Sequence, residues 1–129
     1  MRFRSLMVGL GALATCAVLS APAVASAGDG RETRKTVSCT ASSRIEIRLR
    51  ADDGKIRLEL EIEARRTGVA WSVILLRERR IAFRGVVRAR SGSREAKLRR
   101  TFADWFGRDS FVIRASGPIA ETCRVSAAI

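Results

Sequence analysis

Residues 44–63 read RIEIRLRADDGKIRLELEIE, and this stretch decides the fold. Aliphatic and charged residues alternate along both of its arms, which is typical of strands with one buried and one solvated face. Between the arms, Asp53-Gly54 favours a two-residue hairpin turn, because Gly takes a positive φ without steric cost. This turn predicts that Ile47 faces Leu60. A slip of one residue would bury charges, so the turn and the pattern agree on the register.

The chain after Glu63 continues as short alternating segments between turns. Residues 69–76, VAWSVILL, are apolar on both faces, which predicts a central strand or a strand whose outer face meets a partner. The next segment is 81–89. The spacing of its apolar residues predicts a bulged turn between it and residues 69–76. Residues 95–102 fit a strand less well because Arg100 breaks the alternation, and a short helix is the alternative. Two further strands, around 111–115 and 123–129, complete the series.

This regular spacing of short strands and turns predicts an all-β fold. The expected architecture is a small antiparallel β-sandwich of seven or eight strands over residues 36–129. Residues 1–27 predict a cleaved signal peptide, with a basic start, an apolar run and Ala25-Ser26-Ala27 at its end. Residues 28–35 are expected to be a flexible segment. The alternative of a lipid anchor at Cys16 is disfavoured by the Thr before it, and no later stretch approaches the roughly 20 apolar residues of a membrane span.

Two cysteines, Cys39 and Cys123, follow the predicted leader and lie near the two ends of the domain. In an exported chain an even pair predicts a disulfide. The alternatives are two free thiols or a metal site. Two cysteines without any histidine do not supply the ligands of a usual structural metal site, so the metal site is disfavoured.

The composition excludes several chemistries. The chain contains no His, Tyr, Asn or Gln, so the usual Ser-His-Asp and Cys-His mechanisms are absent. We therefore expect no enzymatic activity, no cofactor and no metal. Glu59, Glu61 and Glu63 suggest a carboxylate-dependent hydrolase as a remote alternative, but an open strand face favours cross-strand ion pairs. The stretch Asp52-Asp53-Gly54 lacks the other ligands of a calcium loop and is interpreted as a turn.

The net charge is +12, and residues 77–100 carry ten basic residues against two acidic ones. Such a surface attracts polyanions. No recognition helix is evident, so no sequence-specific binding of nucleic acid is expected. The alternative interpretation is a solvated face in an Arg-rich chain. The candidate anion-binding residues are Arg77, Arg79, Arg80, Arg84, Arg88 and Arg90.

Trp105 and Phe106 are adjacent in a predicted loop beside Arg108. Such aromatic residues either stack on a ligand or close one end of the sandwich. Trp71 occupies an inward position and is predicted to lie in the core. Arg65-Arg66 could form the loop of an inhibitor of trypsin-like proteases. Because no Pro rigidifies it, it is interpreted as an ordinary loop.

A resemblance adds to these observations. Cys39, the run SSRIEIRLRADDGKIRLELEIE, the run RTGVAWSVIL and Glu121-Thr122-Cys123 resemble a set of small secreted actinobacterial proteins of unknown function. The stretch Gly107-x-Asp109-x-Phe111 is similar to the strand entry of bacterial immunoglobulin-like domains. The resemblance implies a secreted, single-disulfide, immunoglobulin-like sandwich and supplies no catalytic residues.

Together these features predict a secreted, non-enzymatic binding or structural module at or outside the cell envelope. Its expected partner is an anionic envelope polymer or another protein. The first alternative is a polyanion-binding protein that uses the surface formed by residues 77–100.

Overall fold

A computed structural model describes residues 30–129, and the predicted signal peptide and Cys16 lie outside this range. The described residues form eight antiparallel strands in two four-stranded sheets, with no helix among them. The strands are β1 (Arg31–Ser38), β2 (Arg44–Asp52), β3 (Lys55–Glu63), β4 (Ala70–Arg77), β5 (Arg80–Arg88), β6 (Glu95–Ala103), β7 (Ser110–Ser116) and β8 (Thr122–Ala128). The first sheet has the order β1-β2-β3-β6 and the second the order β5-β4-β7-β8.

The hairpin β2–β3 has the predicted register. Ile47 lies opposite Leu60, and the turn residues Asp53 and Gly54 have φ values of 51° and 68°. Both central residues therefore have the positive φ that a tight hairpin turn with the right-handed strand twist requires. The inward aliphatic residues of both strands are fully buried, so alternation, turn and burial agree.

The hairpin β4–β5 contains a bulge, as the spacing predicted, but the bulge lies within the strands and not in the turn. Its two-residue turn, Glu78 and Arg79, also has positive φ values, of 48° and 66°. Leu75 pairs with Phe83 and Leu76 with Ile81, so the register shifts by one residue between these pairs. This shift returns the inward residues of β5 to the core side, which is what the spacing required.

Residues 95–102 lie within strand β6, so the helix alternative is wrong. Arg100, which breaks the alternation, lies opposite Leu58 and stacks its guanidinium over Phe83, with 4.6 Å from Cζ to the ring centroid. Because β6 and β5 are edge strands of different sheets, this cation–π contact lets a charged residue occupy an inward position there.

The flexible segment expected over 28–35 is also wrong for residues 31–35. They belong to β1, whose whole length from Arg31 to Ser38 pairs with β2. The strand has little apolar alternation because, as an edge strand, it is held mainly by backbone hydrogen bonds and by ion pairs with β2. Hydrophobic pattern does not reveal such a strand.

The core fills the space between the two sheets. Trp71 and Phe111 are its largest fully buried side chains, and the inward aliphatic residues of β2, β3, β4 and β7 surround them. The core position predicted for Trp71 is confirmed. Cys39 and Cys123 form the predicted disulfide, which joins the end of β1 to β8 across a sequence separation of 84 residues.

The strand order differs from that of immunoglobulin constant domains. In those domains the second strand pairs with the fifth, whereas here β2 pairs with β1 and β3. What the structure shows is an all-β, two-sheet architecture with one disulfide. Within residues 30–129 no helix is long and apolar enough to cross a membrane.

Candidate anion-binding surface

The two sheets differ in how they distribute charge. The first sheet carries acidic and basic residues on its outer face, whereas the strands of the second sheet contain six arginines and neither Asp nor Glu. These arginines are Arg77, Arg80, Arg84, Arg88, Arg114 and Arg124.

On the first sheet, ion pairs balance many of the charges. Arg48 lies 3.4 Å from Glu32 and 3.6 Å from Glu59, and Arg34 lies 3.5 Å from Glu46. The cross-strand ion pairs predicted for Glu59 are therefore present. An external anion approaching this face meets carboxylates beside the guanidinium groups, which weakens its attraction.

On the second sheet, three arginines form a row across the strands. Arg84 lies opposite Ile74, Ile74 opposite Arg114, and Arg114 opposite Arg124. Residues directly opposite one another point to the same side of a sheet, so all three guanidinium groups project outward. Three strand spacings give the row a length of about 14 Å. We call Arg84, Arg114 and Arg124 the arginine row.

No member of the arginine row forms an ion pair with another described residue. All three are exposed. Like charges directly opposite each other destabilise a strand pair, and Arg114 and Arg124 are such a pair. Each guanidinium has a planar set of donors that can hold a phosphate or carboxylate in a bidentate contact. A ligand with anions repeated along about 14 Å would relieve the repulsion.

The structure separates the six predicted anion-binding residues. Arg84 belongs to the arginine row, while Arg79 and Arg80 lie at the β4–β5 turn. Arg88 and Arg90 line a groove of about 590 Å³ together with Ser93 and with Glu95, Lys97 and Arg99 of β6, so four basic residues face one acidic residue there.

Arg77 is not accessible on this surface. Its side chain is only 5% exposed, and its Nη2 and Nε donate to Asp109 Oδ1 at 2.7 and 3.2 Å. Nη2 also donates to the carbonyl of Ala103. Trp71, Val73 and Leu75 point inward on the same strand. Because side chains alternate with a period of two residues, Arg77 points inward as well, despite its charge.

Sequence reasoning missed Arg114 and Arg124. Their outward direction follows from the inward positions of Phe111, Ile113 and Cys123, but nothing in the sequence places β7 beside β4. The structure also brings two arginine-bearing loops together. The N–H of Ala64 donates to the carbonyl of Arg94 at 2.9 Å, which holds the loop of Arg65 and Arg66 against the β5–β6 loop.

Trp105 and Phe106 lie in the β6–β7 loop. Trp105 is half-exposed and stacks on Arg77, with 3.5 Å from Cζ to the ring centroid, whereas Phe106 is fully exposed. One aromatic residue therefore covers the buried arginine and the other contacts solvent.

The carboxylates do not form a metal centre. Among residues 30–129 no group of three or more metal-ligating side chains converges. Burial, together with a hydrogen bond and repulsion from Glu95, raises the pKa of the Glu61 carboxyl above its usual value of 4.5, against an opposing effect of Lys97.

Replacing Glu61 by Gln is expected to stabilise the protein at neutral pH. Because the pKa of Glu61 is raised in the folded state, its stabilising contribution exists at low pH and is lost as the pH rises through the folded pKa. A neutral Gln avoids that loss. Urea unfolding should show a higher midpoint for Glu61→Gln at pH 7 and equal midpoints below about pH 3, where Glu is protonated in both states. A lower midpoint at pH 7 would contradict this explanation.

Comparison with known proteins identified no relatives: no family model matches the chain, and neither a curated protein nor a solved structure resembles it significantly.

Proposed function

We propose that the protein is exported and binds anionic polymers at or outside the cell envelope, without catalysis, through the arginine row and the adjoining groove of Arg88 and Arg90. The observation that carries this proposal is the charge of the second sheet, in which six arginines occur with no acidic residue. Apart from the buried Arg77, which pairs with Asp109, none of these arginines has a carboxylate partner among the described residues.

Export is supported by two features. Residues 1–27 have the features of a secretory leader, and the Cys39–Cys123 disulfide is compatible with an oxidising compartment. The resemblance to small secreted actinobacterial proteins of unknown function agrees with this location. Envelope polymers that carry phosphates or carboxylates are the anions that a protein meets there.

Binding by this surface works by simultaneous contact. The arginine row offers three guanidinium groups along about 14 Å, so a polymer with repeated charges engages several at once and releases its condensed counterions. Since release of counterions drives such binding, affinity falls steeply as salt rises. Arg88 lies on the same strand as Arg84, and Arg90 lies in the loop that follows, so the two extend the positive charge from the arginine row toward the groove.

A protein partner is the second candidate. Ile81 and Val86 are 55% and 65% exposed, and their pairing with Leu76 and Ser72 places them on the same outer face as the arginine row. Exposed aliphatic residues beside arginines are typical of a surface that recognises an acidic protein with apolar contacts.

The test measures binding to a short DNA duplex, used as a polyanion of known charge density, at several salt concentrations. The triple variant Arg84→Gln, Arg114→Gln, Arg124→Gln is expected to reduce the slope of log affinity against log salt by about 3, about one unit for each lost phosphate contact. Fluorescence anisotropy of a labelled duplex gives both the affinity and the slope.

The matched control removes three arginines from the first sheet, Arg44, Arg50 and Arg57. All three are exposed, and none forms an ion pair with another described residue. Their replacement by Gln changes the net charge equally and should change the slope much less. Equal effects of the two triple variants would show that only net charge matters and would refute a dedicated surface. Absence of saturable binding to DNA and to purified cell wall would refute the function itself.

A further inference from the structure

The β6–β7 loop holds two aromatic side chains at the surface. Trp105 is 53% exposed and Phe106 fully exposed, although the nearby Phe102 and Phe111 pack inside with their ring centroids 5.5 Å apart. A large apolar side chain left in water forgoes about 1.5 to 3 kcal/mol of burial free energy. Two consecutive exposed aromatic residues therefore suggest a ligand that covers them.

Trp105 is held in a fixed position. The guanidinium of Arg77 lies against one face of its indole ring, 3.5 Å from Cζ to the centroid. Arg77 is itself fixed by Asp109 and by the carbonyl of Ala103. An immobilised ring presents its free surface to a ligand without a further loss of side-chain entropy on binding.

The two aromatic residues line an open cleft of about 910 Å³. One wall carries the ion pair of Arg31 and Asp104, whose atoms Nη2 and Oδ2 lie 3.2 Å apart. Arg108 also lines the cleft and forms no ion pair within the described part of the chain. The cleft thus combines an aromatic platform, polar groups of both signs and one guanidinium without a counterion.

We propose that this cleft binds a carboxylated oligosaccharide. The C–H face of a sugar ring packs on Trp105, and Phe106 contacts a neighbouring ring. The carboxylate of Asp104 accepts hydrogen bonds from sugar hydroxyls while Arg31 donates to ring or hydroxyl oxygens, and Arg108 binds a sugar carboxylate.

The groups in the cleft favour this ligand over two others. A lipid surface would take the aromatic residues into an apolar medium, but the Arg31–Asp104 pair and Arg108 would then lose their hydration. Along a DNA strand the sugars have no free hydroxyl that could donate to the Asp104 carboxylate, whereas the rings of an oligosaccharide do. A sugar hydroxyl can donate to a carboxylate and accept from a guanidinium, so a sugar forms hydrogen bonds with the charged groups of both signs in the cleft.

The cleft is distinct from the proposed polyanion surface. The arginine row lies on the outer face of the second sheet, whereas the cleft lies at one end of the sandwich and involves Arg31, Gly54 and the loop of Trp105. The two binding activities can therefore be removed separately.

The experiment titrates trigalacturonate into the purified protein and follows tryptophan fluorescence. Trp71 is fully buried, so a change on binding reports Trp105. Phe106→Ala and Arg108→Gln are expected to weaken trigalacturonate binding at least about tenfold, as expected for the loss of a stacking or charge-assisted contact. For the neutral sugar maltotriose, Phe106→Ala should weaken binding while Arg108→Gln leaves it unchanged.

Arg79→Gln is the matched control, because Arg79 is an exposed arginine that does not line the cleft. It should bind trigalacturonate like the wild type. Phe106 lies outside the hydrophobic core, and Arg108 is exposed and forms no ion pair with another described residue, so urea unfolding should show unchanged stability for both variants. The proposal would be overturned if neither sugar gave a saturable change in fluorescence. It would also be overturned if Phe106→Ala and Arg108→Gln left that change intact.

The triple variant of the arginine row must keep sugar binding. Its loss there would place the sugar on the polyanion surface and refute a separate cleft.

Discussion

Replacing Arg77 by Met is expected to lower the free energy of unfolding by about 3 to 5 kcal/mol, because it leaves the Asp109 carboxylate buried without its positive partner. Arg77 and Asp109 are 5% and 2% exposed, and Nη2 lies 2.7 Å from Oδ1. The same change removes the donor to the Ala103 carbonyl and the support beneath Trp105. Urea unfolding, followed by circular dichroism, measures the loss directly.

The double variant Arg77→Met, Asp109→Asn separates the charge from the packing. It leaves no buried charge, so it should recover most of the stability lost in the single variant. The pair is not fully satisfied even in the wild type, since Asp109 Oδ2 is buried with no hydrogen-bond partner among the described residues. Arg80→Met, at the exposed start of β5, should have little effect. Similar losses for the Arg77 and Arg80 variants would refute the ion pair as a stabilising element.

Removing the disulfide is expected to have an effect of comparable size. The bond links residues 84 apart in sequence, and the chain-entropy model assigns a closed loop of that length about 4 to 5 kcal/mol. Since a small domain has about 5 to 15 kcal/mol in total, the variant Cys39→Ala, Cys123→Ala should unfold at a much lower urea concentration. The urea midpoint of the oxidised wild type, compared with that of the variant, measures the effect.

Treatment with reductant provides the control for this change. It should lower the midpoint of the wild type toward that of the double variant and should not alter the double variant itself. If the reduced wild type unfolds at the same urea concentration as the oxidised protein, the bond does not stabilise the fold. The denatured chain would then already be as compact as the bond makes it.

Some parts of the fold could be predicted because their information is local. The β2–β3 register follows from period-two alternation and from Asp53-Gly54, and both act within 20 consecutive residues. The β4–β5 bulge follows in the same way from counting between Leu75 and Phe83. The disulfide needed no geometry, because Cys39 and Cys123 are the only cysteines that follow the predicted leader.

Other features depended on contacts between distant segments. Strand β1 lacks apolar alternation and is held by pairing to β2, so its sequence indicated a flexible segment. Arg77 was assigned to an anion-binding surface by its charge although the alternation of β4 points it inward, and only Asp109, 32 residues later, compensates the buried charge. The candidate site shows the same division, since the sequence predicted Arg84 and missed its neighbours Arg114 and Arg124.

The sequence by itself determined which side chains of this protein point inward, where the hairpin turns lie, which cysteines pair and which catalytic groups are missing. These properties follow from residue type and from the two-residue period of a strand. Only the tertiary structure decided which strands are neighbours. It thereby aligned Arg84, Arg114 and Arg124 in one row, and it placed Arg77 against the ring of Trp105, which lines the cleft. The physical reason is that strand order depends on long-range backbone pairing, which similar alternating segments do not specify individually.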